Sequence, residues 1–142
     1  MSTSFQLQNN ALKELPHNIE AEQGILGAIL LNNEIFFDIS ETINVEHFYE
    51  PVHKLIFDVI GKMISKGQIA TPITLKSFFE VEKNLEEIGG SNYLVRLANS
   101  AVSLDYAKNY AHIIYNLAVR RGLYELGGKV QPVSYTHLRA HE

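Results

Sequence analysis

Eight consecutive apolar residues, Gly24 to Leu31 (GILGAILL), constrain this chain more than any other feature. A helix that is apolar on every side must be enclosed by neighbours, and Gly24 and Gly27 permit close approach of another backbone. The run is far shorter than the roughly 20 residues that cross a bilayer. It therefore predicts a buried central helix rather than a membrane span.

Around that helix the apolar residues recur at helical spacing and strand signals are nearly absent. Asn18 is a candidate N-cap for the first helix, with Glu20 and Glu22 placed to face the positive helix terminus. After Asn32-Asn33, the residues Ile35, Phe36, Ile39 and Ile43 predict a short second helix. Behind Pro51, the positions Val52, Leu55, Ile56, Val59, Ile60, Met63 and Ile64 follow the i, i+3, i+4, i+7 rule, and Lys66-Gly67 supplies a cationic last turn and a left-handed cap. Thr74 is read as the cap of a fourth helix bearing Leu75, Phe78 and Phe79. Gly89-Gly90 ends the next stretch, and Ser91 is read as the cap of a fifth helix bearing Tyr93, Leu94, Leu97 and Ala98.

A last helix begins near Ser103. Its Tyr106, Tyr110, Ile113, Leu117 and Tyr124 alternate spacings of four and three, interrupted at Arg120, as along a coiled-coil seam that needs a partner helix. The expected fold is all-α: a compact bundle of about six helices, the last being the first arm of an incomplete helical hairpin. The expected organisation is a disordered leader over 1–17, a helical domain over 18–102, the hairpin arm over 103–129 and a tail over 130–142. That tail lacks an apolar stripe, and SYTHLRAHE resembles a translated sequencing-adapter end, so fold reasoning leaves it out.

Composition removes several functions. Twelve Lys plus Arg against sixteen Asp plus Glu give a net charge of −4, which argues against tight, sequence-blind binding of nucleic acid by this chain alone. The absence of cysteine excludes disulfides, thiolate metal sites and thiol nucleophiles, and leaves a cytoplasmic location as the expectation. No GxGxxG occurs, and Gly122 to Val130 has the wrong spacing and no hydroxyl for a phosphate-binding loop. Ser40, Ser65, Ser77, Ser91, Ser100 and Ser103 lie in helices or at caps, none in a GxSxG elbow.

For metals, Glu50 and His53 form one Glu-x-x-His, half of a di-iron set. Glu14 and His17 form a second that spans Pro16, and His47, Glu50 and His53 do not share a helical face. The plain reading places Glu50 at a helix start and His53 beside it, partly exposed. No catalytic, cofactor or metal residue is assigned. Arg120-Arg121 with Lys129 is the main cationic cluster, read first as complementing the negative end of the last helix. Tyr93, Tyr106, Tyr110, Tyr115 and Tyr124 concentrate in the last two helices, which suits either a core face or a protein interface.

Five collinear stretches carry a resemblance. Leu15 to Leu31 (LPHNIEAEQGILGAILL) looks like the first helix of the N-terminal domain of DnaB-type replicative DNA helicases. Glu46 to Phe57 (EHFYEPVHKLIF) is similar to that family's F-Y-x-x-x-H-x-x-I-F segment. Ile69 to Leu75 resembles its D-x-V-T-L turn, with Thr71-Pro72 replacing the acidic residue. Gly89 to Leu94 (GGSNYL) and Tyr106 to Ile114 (YAKNYAHII) are like its G-G-x-x-Y-L and Y-A-x-I-I helices.

The resemblance implies an N-terminal collar domain whose hairpins pair subunits, six of which form a ring that binds primase. It places ATP, magnesium and contact with DNA in a separate motor domain that has no counterpart here, so the chain alone is expected to be inactive. The expected self-pairing contacts are Tyr106, Tyr110, Ile113, Leu117 and Tyr124, although the returning hairpin arm is not found in the sequence. The alternatives are a free-standing helical adaptor of the replication machinery, or a carboxylate-histidine metal bundle built on Glu50 and His53.

Overall fold

The structure, a computed structural model, describes residues 14–130. Those residues form six α-helices and two short 3-10 turns, with no strand among them. The helices are α1 (Ile19–Leu31), α2 (Ile35–Ile39), α3 (Pro51–Ser65), α4 (Pro72–Val81), α5 (Gly90–Asn99) and α6 (Leu104–Val130). Residues 1–13 of the expected leader and 131–142 of the expected tail lie outside the described residues.

Helix α1 is the axis of the bundle, as its apolar run predicts. Asn18 caps it, its Oδ1 accepting the Ala21 N–H at 2.9 Å, and every residue from Gly24 to Leu30 is buried. Helices α3, α5 and α6 all pack on it. The closeness depends on Gly27: a Cβ there would stand 1.9 Å from the Leu97 carbonyl oxygen of α5. Each buried Ile or Leu of α1 contributes about 1.5–3 kcal/mol relative to exposure, so this helix organises the rest.

Asn33 does more than interrupt the run. Its Nδ2 donates to the carbonyls of Ile29 and Ala70, both at 2.8 Å, and its Oδ1 accepts the Ala70 N–H. This ties the loop after α3 to the end of α1. That loop starts where expected, with Gly67 at φ +75 and the Gln68 N–H reaching back to the Met63 carbonyl at 2.9 Å.

Two caps differ from the sequence reading. Helix α4 is capped by Thr71, and Thr74 is the third helical residue of a reciprocal box: Thr71 Oγ1 accepts the Thr74 N–H while Thr74 Oγ1 accepts the Thr71 N–H at 2.8 Å. Pro72 decides this, because its fixed φ and missing N–H suit the first helical position. Helix α5 starts at Gly90 behind Gly89 (φ +99), and Ser91 makes no cap bond. Two successive glycines with positive φ turn the chain and leave a side-chain cap no place.

The helix α6 also runs on through Gly127-Gly128 to Val130, so those glycines neither end it nor form a phosphate loop. Upstream of α1, Leu15, Pro16 and His17 are half-buried rather than free: the His17 ring stacks on Tyr49 with centroids 4.0 Å apart.

Candidate functional site

Two features outside the apolar core concentrate chemistry: a buried polar chain joining α1, α3 and α5, and the long helix α6. The polar chain begins at Glu22. Read from sequence as a terminal carboxylate, it is 1% exposed. Its carboxylate accepts the Tyr49 N–H at 2.7 Å and the Glu50 N–H at 3.3 Å, and lies 2.7 Å from His53 Nδ1. It therefore pairs the N–H groups of the two residues that lead into α3, beside a helix terminus that favours an anion.

His53 is wholly buried, which corrects its reading as partly exposed. Its carboxylate partner is Glu22 rather than Glu50, whose backbone N–H, not its carboxylate, joins the network. His53 Nε2 faces the Tyr93 hydroxyl at 2.5 Å, and the Gln23 amide donates to that hydroxyl oxygen at 3.1 Å. Burial, aided by the charges of Glu50 and Glu22, raises the Tyr93 pKa above the usual phenol value against the opposite pulls of Gln23 and Arg96. Tyr93 also lines a cavity of about 310 Å³ with Ile19, Glu50, Val52, Ile88 and Gly89. No cluster of three or more metal-ligating side chains occurs among the described residues, so Glu50 and His53 are not brought together with further ligands.

Along α6, the side turned inward is one residue out of phase with the tyrosine seam. Ala107, Ala111, Ile114 and Arg121 are buried, spaced by four, three and seven. Small residues there let α6 lie close to α1. Of the five seam residues, Tyr110 and Leu117 are half-buried at the edge of this contact, Tyr110 packing against Gly24. Tyr106, Ile113 and Tyr124 are exposed. They are joined by Tyr115, Val119, Leu123 and Leu126, so that every residue from Gly122 to Gly127 is open to solvent although several are large and apolar.

Arg121 does not serve the end of its helix. It is almost buried, donates from Nη1 to the Pro16 carbonyl at 2.9 Å and from Nη2 to the His47 carbonyl at 2.7 Å, and lies over the Tyr49 ring. Its neighbour Arg120 is exposed, and the side chain of Lys129 lies outside the described residues.

Arg121 thus locks α6 to the segment before α1 and to the 3-10 turn Val45–His47. His47 completes that turn by accepting the Asn44 N–H on Nδ1 at 2.9 Å and meets Tyr115 edge-on. Burial and the Arg121 charge lower the His47 pKa, against a smaller opposite pull from Glu46.

Glu22, His53 and Arg121 were missed as interior residues, yet spacing marks them. Glu22 precedes Ile25, Leu26 and Ile29 by three, four and seven; His53 precedes Ile56, Phe57 and Ile60 likewise; and Arg121 follows Ile114 by seven. A polar residue in phase with a buried stripe signals an internal network.

The sequence family described as DnaB-like helicase N terminal domain matches residues 14–116. The chain belongs to that family. The replicative DNA helicase DnaB of Rickettsia typhi is 45% identical over 121 residues, which is 85% of this chain and 24% of that protein. Its counterpart in Buchnera aphidicola is 34% identical over 128 residues, 90% of this chain and 28% of that protein. The chain thus spans about a quarter of the length of the curated relatives it matches.

The crystal structure of the N-terminal domain of DnaB helicase from Mycobacterium tuberculosis superposes with a TM-score of 0.80 at 30% identity, covering 86% of this chain and 88% of that one. This DnaB N-terminal domain is therefore all-helical in the family's manner. Among its described residues no helix is long and apolar enough to cross a membrane.

Proposed function

We propose that this DnaB N-terminal domain is the collar of a replicative DNA helicase, a module that holds subunits together and docks a second protein, primase. The observation that carries the reading is the open face of α6. A helix whose small residues bind the bundle and whose Tyr106, Ile113, Leu123, Tyr124 and Leu126 face solvent exposes more apolar surface than an isolated domain requires. Tyrosine beside aliphatic residues is the composition of interface cores.

The mechanism is mechanical. Arg121 and the Ala107–Ala111 stripe fix α6 on the bundle, so that its outer face is presented at a set angle. Pairing of two such faces places two subunits side by side, and repetition around a ring raises the effective concentration of any motor domains attached to them. ATP, magnesium and DNA belong, in this proposal, to a motor outside these 142 residues, and the collar acts in the cytoplasm without a cofactor of its own. The charge of −4 and the absence of a phosphate-binding loop in the sequence support that division.

Light scattering after gel filtration tests the location of the interface. Replacing Leu123 and Tyr124 together by Asp is expected to leave helical content unchanged, because both side chains are exposed, and to reduce the chain to a monomer. An unchanged assembly state in that variant refutes the assignment of this face.

A further inference from the structure

Past Ile114, the next buried side chain of α6 is Arg121, two turns and about 10 Å further along the helix. One of its two bonds ends on a short strap, residues 15–17, where Nη1 donates to the Pro16 carbonyl at 2.9 Å across 105 residues of chain. His17 fastens this strap in turn. Its ring stacks on Tyr49 with the planes 7° apart, and its Nδ1–H donates to the Leu15 carbonyl at 2.6 Å. Tyr49 is itself anchored to α1, because its backbone N–H donates to Glu22 at 2.7 Å, and the Arg121 guanidinium lies over the same ring. A continuous path therefore runs from α1 through Tyr49, His17 and Pro16 to Arg121 on α6.

The junction is not filled by apolar packing. A cavity of about 360 Å³ lies there, bounded by Leu15, Phe48, Tyr49, Ala118 and Gly122. Atoms that face a void forfeit the dispersion contacts of a packed core, so the hold of the strap on α6 is a polar bond beside open space. Such joints open more readily than the core. We propose that residues 15–17 are a positioning strap for α6: His17, clamped on Tyr49, keeps the Pro16 carbonyl where Arg121 needs it and so sets the direction in which α6 presents Leu123, Tyr124 and Leu126 to a second copy of the chain.

The strap gives the exposed face of α6 a control at a distance. Loosening it deprives a buried guanidinium of one acceptor and frees the far half of α6, where every residue from Gly122 to Gly127 is already open to solvent. Pairing should then weaken although no residue of the α6 face has changed. The step from strap to pairing rests on the collar reading, whereas the hold of the strap on α6 stands on the bundle contacts alone.

Hydrogen exchange followed by NMR on the dilute 142-residue chain, with sedimentation equilibrium at higher concentration, tests it. His17→Ala is expected to speed exchange of the α6 amides at 118–122 about tenfold, the scale of one lost hydrogen bond to a charged group. It should leave the α1 amides at 25–29 unchanged and weaken self-association. His17→Phe, which keeps a ring on Tyr49, should stay close to wild type. In an Arg121→Met background His17→Ala should add nothing, because the strap acts through the guanidinium; Arg121→Gln takes that place if the Met variant does not fold. Unchanged exchange at 118–122 in His17→Ala, an equal rise in α1, or a full His17→Ala effect without Arg121 would each overturn the strap. An associating chain whose pairing ignores His17→Ala would overturn its role in pairing. A loosened α6 in a chain that never associates would instead refute the collar reading and leave the hold of the strap on α6 standing.

Discussion

Single side chains decide whether α1, α5 and α6 can meet. Gly27 is the tightest point, and Ala there would drive a methyl into the Leu97 carbonyl, so the two helices must part. We expect Gly27→Ala to cost about 3 kcal/mol, the upper end for overpacking, read as a lower urea midpoint. Lys83 is the opposite case, a lysine held at φ +59 behind α4, where the Asn84 N–H closes on the Phe79 carbonyl. Glycine adopts that conformation without strain, and Lys83→Gly should raise stability by about 0.5–1 kcal/mol in thermal unfolding.

His47 gives a third test at the same scale. Its folded pKa lies below the ordinary 6.5, so the unfolded chain binds more protons in the window between the two values. The contribution is fully present above that ordinary value and is lost as pH falls through 6.5 toward the folded pKa. Between pH 7.5 and 5.5, the wild-type chain should lose more stability than His47→Gln, whose amide oxygen can still accept the Asn44 N–H. Equal losses would remove His47 from the account.

At the scale of elements, periodicity made the bundle legible. The positions of α1, α3 and α6 follow from apolar spacing, and Asn18, Pro51 and Gly67 mark the boundaries expected of them. Caps were harder to read, because Thr71 and Thr74 both qualify by residue type and only the placement of Pro72 chooses between them. Thr71→Ala should cost about 1 kcal/mol, whereas Ser91→Ala should fall within about 0.5 kcal/mol of wild type, both measured by chemical denaturation.

The seam of α6 shows what spacing leaves open. Tyr106, Tyr110, Ile113, Leu117 and Tyr124 form one stripe, and Ala107, Ala111, Ile114 and Arg121 form another beside it. Burial assigns the bundle contact to the second. Alanine is a weak apolar signal and arginine is none, so the inner face is the quieter one in sequence. The polar chain was obscured for the same reason: Glu22 and His53 are charged residue types whose interior place is fixed by neighbours that arrive from 27 residues or more away, such as Tyr93, 40 residues from His53.

For the whole molecule, the bundle encloses its core, pairs the interior polar groups of Glu22, His53, Tyr93, Asn33 and Arg121 while leaving the buried Asn84 Oδ1 without a protein partner, and keeps several large apolar side chains of its long helix exposed. The collar proposal has this domain act by contact, and its central claim is that the contact begins with a second copy of the chain. Sedimentation equilibrium of the wild-type protein across the micromolar range tests this most directly. The account predicts an average mass that rises above the 16.0 kDa of one chain as concentration increases; a mass that stays at one chain throughout would contradict it.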